Sequence, residues 1–132
     1  MLTVSASQLA ELAATRRASH EVGWVIETLR AACTDAVSML DDALLRREVQ
    51  ACLQRCDAIG LKTDGDRLGL CMLDLVLMPG VRDLPELPAL IERFAQPDQP
   101  LLVTLALAAP PQFWNLLMER AEATRRARGM IE

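Results

Sequence analysis

The stretch TDGDRLGLCMLDLVLMPGV, residues 63–81, decides the fold. Thr63 with Asp66 three residues later is the pattern of a capping box, in which a hydroxyl accepts from an otherwise unpaired helical N–H. Asp64 and Asp66 also place negative charge at the positive end of the helix dipole. From 68 to 78 the run is almost wholly apolar, and Pro79 and Gly80 stop it. A third helix of the chain, buried on nearly all sides, is expected here. Leu70, Leu73, Leu77 and Met78 define its inward face, and Asp74 falls at the edge of that face. A carboxylate at such a position either pairs with an arginine, Arg55 or Arg82, or serves a binding partner, because a buried charge without a partner is costly.

The segments before this helix read as helices too. Ser5 with Gln8 is another capping box, so a first helix starts near Ser5. Val22, Val25, Ile26, Leu29 and Cys33 form a helical stripe rotated from the one begun by Leu9 and Leu12, which predicts a bend or break between 19 and 23. TDAVSML is a short connection. Asp41 or Asp42 then caps a helix whose stripe is Leu45, Val49, Cys52, Leu53 and Cys56, and Gly60 supplies its left-handed stop.

Beyond the third helix, Asp83 and Pro85 open a short helix carrying Leu87, Leu90, Ile91 and Phe94. AQPDQP is a loop, with Asp98 as the next cap and Pro100 in the first turn that follows. LLVTLALA is a buried helix or a strand. Pro110 and Pro111 interrupt helical hydrogen bonding and restart the chain in a last helix, with Phe113, Leu116, Leu117 and Ala121 inward and Gly129 at its end. The chain is expected to be all-α: a single compact domain, 1–132, of about five or six helices.

Composition supports the same architecture. The 132 residues suit one hydrophobic core. Hydrophobic residues make up 52%, but aromatics only 3%, with no tyrosine, so the core is aliphatic. Leucine and alanine lose little side-chain freedom in helices, whereas strands favour β-branched and aromatic residues. A net charge of −4 argues against nucleic acid as a partner, since displacing counterions from phosphates needs a concentrated basic surface. The opening MLTVSASQLAEL lacks the basic and apolar regions of a secretory signal, and neither apolar run, 68–78 or 101–111, reaches the roughly 20 residues that span a bilayer. A cytoplasmic protein without a membrane partner is expected.

No catalytic signature appears. The lone histidine, His20, has neither a glycine elbow nor a neighbouring cysteine. GLKTDGDRLG lacks the Lys-Ser/Thr ending of a phosphate loop, and Asp64 to Asp66 lacks the spacing of a calcium loop. The four cysteines, Cys33, Cys52, Cys56 and Cys71, sit among apolar residues without C-x-x-C pairs, so they read as small buried hydrophobes with free thiols. The competing reading is a small thiol or metal enzyme built on Cys52 and Cys56, which share a helical face. No catalytic, cofactor or metal site is expected.

Surface is what remains. Trp24, Phe113 and Trp114 are the large anchors available to an interface. The inward stripe of the last helix turns Trp114 about 100° away, to the margin of that face. Trp114 is therefore the candidate partner-binding residue, with Asp74 and with Arg125 and Arg126 from the basic end RRARG; the alternative is that Trp114 closes the core against Trp24 or Phe94. The partner is a protein, or a second copy of this chain as a homodimer.

Four motifs carry a resemblance. They are the Q-x-x-x-L helix start at Gln8 and Leu12, the A-I-G-L-x-T-x-x-D turn from Ala58 to Asp66, the L-D-L-x-L-x-x-G helix end from Leu73 to Gly80, and the D-L-P-x-L-P-x-L-I segment from Asp83 to Ile91. Over about 5–117 the chain resembles small helical proteins encoded in bacterial type VI secretion gene neighbourhoods, beside effectors and spike components. It departs from their pattern in the Cys-Asp before Ala58, the absence of an aromatic in the third helix, and Pro110 with Pro111. The resemblance implies a non-enzymatic cytosolic interaction protein that binds a co-encoded effector or spike component as adaptor or chaperone. The alternative is an immunity protein, and without an export signal it would face a toxin acting in the cytosol.

Overall fold

The computed structural model describes residues 5–38, 40–94, 99–100, 105 and 110–131, with backbone alone for 11–16, 18, 36 and 94. Among these the regular structure is helical throughout, in six α-helices: α1 Ala6–Ala32, α2 Thr34–Val37, α3 Asp42–Ile59, α4 Asp64–Met72, α5 Leu87–Phe94 and α6 Pro111–Ala127. A π-helical turn, Leu73–Leu77, extends α4, and a 3-10 turn, Val81–Asp83, follows it.

The predicted caps at Ser5, Thr63 and Gly60 form, whereas Asp41 holds the N-cap position of α3 without a side-chain hydrogen bond. Ser5 and Gln8 make a reciprocal capping box at the start of α1. The Thr63 hydroxyl accepts from the Asp66 N–H at 3.2 Å, and Gly60 ends α3 at φ +82°. The core is aliphatic, built from Val22, Val25 and Leu29 of α1, Leu45, Val49 and Cys52 of α3, and Leu70 and Cys71 of α4. Helices α1, α3 and α4 pack together around it, and Leu87 and Ile91 of α5 and Leu117 of α6 close it.

Four expectations change. Helix α1 runs unbroken through 19–23. The two stripes need not align: Ser5 to Ala10 are all exposed, and among the described side chains of α1 the first buried one is Val22. TDAVSML is partly helical, as α2, whose Val37 is fully buried. The short helix after Asp83 and Pro85 begins only at Leu87, with a 3-10 turn before it. Finally, the third helix is not uniformly α. The Met78 N–H donates to the Leu73 carbonyl five residues back, at 2.6 Å, and this wider turn changes which side chains face inward. Leu73 and Leu75 are buried, Met78 is half-buried, and Leu77, expected inside, is 56% exposed.

Of LLVTLALA, only Leu105 lies within the described residues. It is helical and buried. The expected cap Asp98 and the side chain of Phe94 lie outside them.

Candidate functional site

Asp74 is not at the edge of a buried face but fully inside, 0% exposed. The widened turn points its carboxylate at the chain's own return through Gly80–Asp83. Its Oδ1 accepts from the backbone N–H groups of Gly80 and Arg82, each at 3.2 Å. Arg128, the residue after α6, grips both oxygens: Nη1 donates to Oδ2 at 2.8 Å and Nη2 to Oδ1 at 3.1 Å. The Arg82 guanidinium stands 3.3 Å from Oδ2. Of the two expected arginine partners, Arg82 is present. Arg55 instead donates to the carbonyls of Arg82 and Leu84, fastening α3 to the same turn.

Two more carboxylates complete the cluster. Buried Glu48 of α3 accepts from Arg82 Nη2 at 3.3 Å and lies 3.7 Å from Arg128 Nε. Asp83, whose side chain is 68% exposed, accepts from Arg128 Nη2 at 3.2 Å. Burial by itself lowers the Arg128 pKa, but the bonds to Asp74 and Asp83 outweigh it and the net shift is upward. No buried side-chain polar atom among the described residues lacks a hydrogen-bond partner. Such a network defines one arrangement of its elements, because a half-satisfied version is strongly disfavoured in a low-dielectric interior.

Gly80 shows how α6 docks. Its φ of +103° suits glycine, and a Cβ there would lie 3.5 Å from Thr124 Oγ1 and 3.7 Å from Leu117 Cδ2. The inward line of α6 is therefore Leu117, Thr124 and Arg128. Leu116, expected inward, lies one residue before this line and is 41% exposed.

The sequence candidates on this helix separate accordingly. Trp114 is half-buried at the margin, its ring edge-to-face with Phe113 at 5.1 Å. Arg125 reaches back to the Val76 carbonyl at 3.4 Å. Arg126 is exposed and pairs with Glu122 one turn earlier, at 3.1 Å. Asp74, with no exposed surface, meets no partner in this conformation. Trp114 and the two arginines thus share one helix, while Asp74 lies beneath its end.

Arg128 and Glu48 were not among the residues singled out by sequence. Glu48 did leave a signal, since it sits on the stripe of Leu45, Val49 and Cys52, where a charge is out of place. Arg128 left less, because an arginine before a helix-stopping glycine is commonplace.

Two other features carry polar or nucleophilic groups. A cleft of about 370 Å³ opens between α1 and α3. Arg67 of α4 spans its wall, forked onto Glu21 of α1 at 2.7 and 2.8 Å and bonded to Asp57 of α3 at 2.6 Å. Cys52, Cys56 and Cys71 are buried together with free thiols. At Cys52 the Cys56 bond acts downward, but the Cys71 bond and burial prevail and raise the pKa; at Cys56 the Cys52 bond and burial both raise it. Nucleophilic and metal-binding cysteines need the opposite shift. Among the described residues no group of three His, Cys, Asp or Glu side chains is arranged to hold a metal ion, and no helix is long and apolar enough to cross a membrane. His20 is exposed on α1.

No protein-family model matches the chain, and no curated protein or solved structure is significantly similar to it.

Proposed function

We propose that the chain is a non-enzymatic, cytosolic protein-binding module that uses α6 to engage a co-encoded type VI secretion effector or spike component, in the manner of an adaptor or chaperone. The observation that carries the binding role is the outer surface of α6. Met118, one turn after half-buried Trp114 on the same side of the helix, is 62% exposed, and Leu116 on the other flank is 41% exposed. Large apolar side chains on an exposed helix, with an aromatic anchor at its margin, are the usual makings of a protein interface. The direction of the Cys52 and Cys56 pKa shifts supports a non-enzymatic reading.

The choice of partner rests on the resemblance. Its motifs coincide with structural devices of this fold: Gly60 and Thr63 at the turn between α3 and α4, Asp74 bonded to Gly80, and Asp83 on Arg128. The test is pairwise co-purification of the tagged chain with each product of its neighbouring genes, followed by titration of the pair that forms. Capture of an effector or spike component supports the reading, and capture of none of them refutes it. Neutralisation of a cytosol-acting toxin by the captured chain would instead assign the immunity role.

A further inference from the structure

We propose that Asp74, Glu48 and Asp83 form a guanidinium socket, and that Arg128 is a removable plug through which α6 is fastened to the rest of the molecule. The proposal is independent of the partner assigned above.

The shape of the socket is specific. Asp74 meets the planar fork of Arg128 with two nearly parallel bonds, 2.8 and 3.1 Å, the arrangement that a guanidinium makes and an ammonium cannot. Asp83 takes a further proton of Nη2 at 3.2 Å, and Glu48 faces Nε at 3.7 Å. Each guanidinium nitrogen therefore has a carboxylate opposite it. Asp83 is exposed, so the socket opens to solvent on that side.

The socket survives the loss of its plug. Asp74 keeps the N–H groups of Gly80 and Arg82 and the Arg82 guanidinium. Glu48 keeps Arg82 and, at 3.7 Å, Arg47. All of these groups belong to α3 or to 74–83, and none to α6. The vacated cluster holds three carboxylates against Arg82 and the flanking Arg47, which leaves it acidic and shaped for one guanidinium.

Among the described residues, the plug's own helix is less deeply seated than α1 or α3. Leu117 is the one buried side chain of Pro111–Ala127, with Phe113 and Trp114 partly buried against the core. Beyond these, its ties among the described residues include Thr124 beside Gly80, the Arg128 contacts, the Arg47 bond to the Arg128 carbonyl and the Arg125 bond to the Val76 carbonyl. Withdrawing Arg128 releases α6 before the α1–α3–α4 core opens. The ligand class in trans is then a guanidinium, which in a protein means an arginine side chain.

The experiment is chemical rescue. Arg128→Ala is melted with N-ethylguanidinium or ethylammonium at equal ionic strength, beside the wild type. Hydrogen exchange is followed in 111–127 and in α3. The expected result is faster exchange in 111–127 than in α3 for the variant, and a gain of about 3 °C in Tm with millimolar N-ethylguanidinium. Ethylammonium should give no gain, and the wild type, with its socket filled, none with either. Should Arg128→Ala be unfolded, N-ethylguanidinium must restore helical circular dichroism where ethylammonium does not. Arg128→Lys should melt closer to Arg128→Ala than to the wild type. Equal rescue by both cations, a gain in the wild type, no rescue at all, or full stability in Arg128→Lys would each overturn the proposal.

Discussion

Replacing Arg128 with Met is the most informative perturbation of stability, because it keeps most of the stem's volume and removes the guanidinium. Taking away one partner of a buried ion pair typically costs about 3 to 5 kcal/mol, most of it from the charge left behind. Asp74 is fully buried, which sets the scale, but it retains two backbone donors and Arg82. The expected cost of Arg128→Met is therefore near the lower end, about 3 kcal/mol. Asp74→Ala removes the acceptor shared by Gly80, Arg82 and Arg128, and each buried donor left unpaired adds roughly 1 to 3 kcal/mol. It should be the more damaging change, at about 5 kcal/mol. Because both substitutions break the same contact, the double variant should lose less than the two effects added, by roughly 1 to 3 kcal/mol. Urea unfolding followed by circular dichroism measures all four proteins, with Asp74→Asn as a milder substitute if Asp74→Ala falls below the stability threshold. A cost under about 1 kcal/mol for Arg128→Met, or strictly additive effects, would show that the cluster does not hold the fold in the way its geometry implies.

Leu73→Ala should destabilise by about 2 to 5 kcal/mol as a buried large-to-small change, whereas Leu77→Ala, at an exposed site, should fall within about 0.5 kcal/mol; reversed magnitudes would place the π-turn wrongly. Gly80→Ala should lower the urea midpoint, since alanine at φ +103° is strained and its methyl meets Thr124. For the thiols the pH dependence follows from the sign of the shift: Cys52 and Cys56 are raised in the folded state, so the unfolded chain loses these protons first. Stability should hold below about pH 8.5 and then fall by up to about 1.4 kcal/mol per pH unit for each thiol. Cys56→Ala should make that alkaline slope shallower, and an unchanged slope would refute the assignment. Trp114→Ala should leave a folded protein whose affinity for the captured partner is weakened by about 2 kcal/mol or more; full affinity, measured by titration calorimetry, would remove Trp114 from the interface.

What the amino-acid order determined by itself was local. The caps at Ser5 and Thr63, the stop at Gly60, the aliphatic stripe of α3 and the all-α class all follow from contacts within four residues, where propensity and periodicity act directly. The tertiary structure decided everything that depended on partners far along the chain. A strict 3.6-residue period put Leu77 inside and Asp74 at an edge. The π-turn reversed both, and its use depends on donors at Gly80, Arg82 and Arg128 that only the fold brings to Asp74. Leu116 was misplaced for a related reason: the line by which α6 docks is set by the Gly80 turn it meets, not by the apolar residues it carries. Arg128 lies 54 residues from Asp74 in the chain. No local pattern encodes a contact across that separation, since its energy comes from burying two opposite charges together.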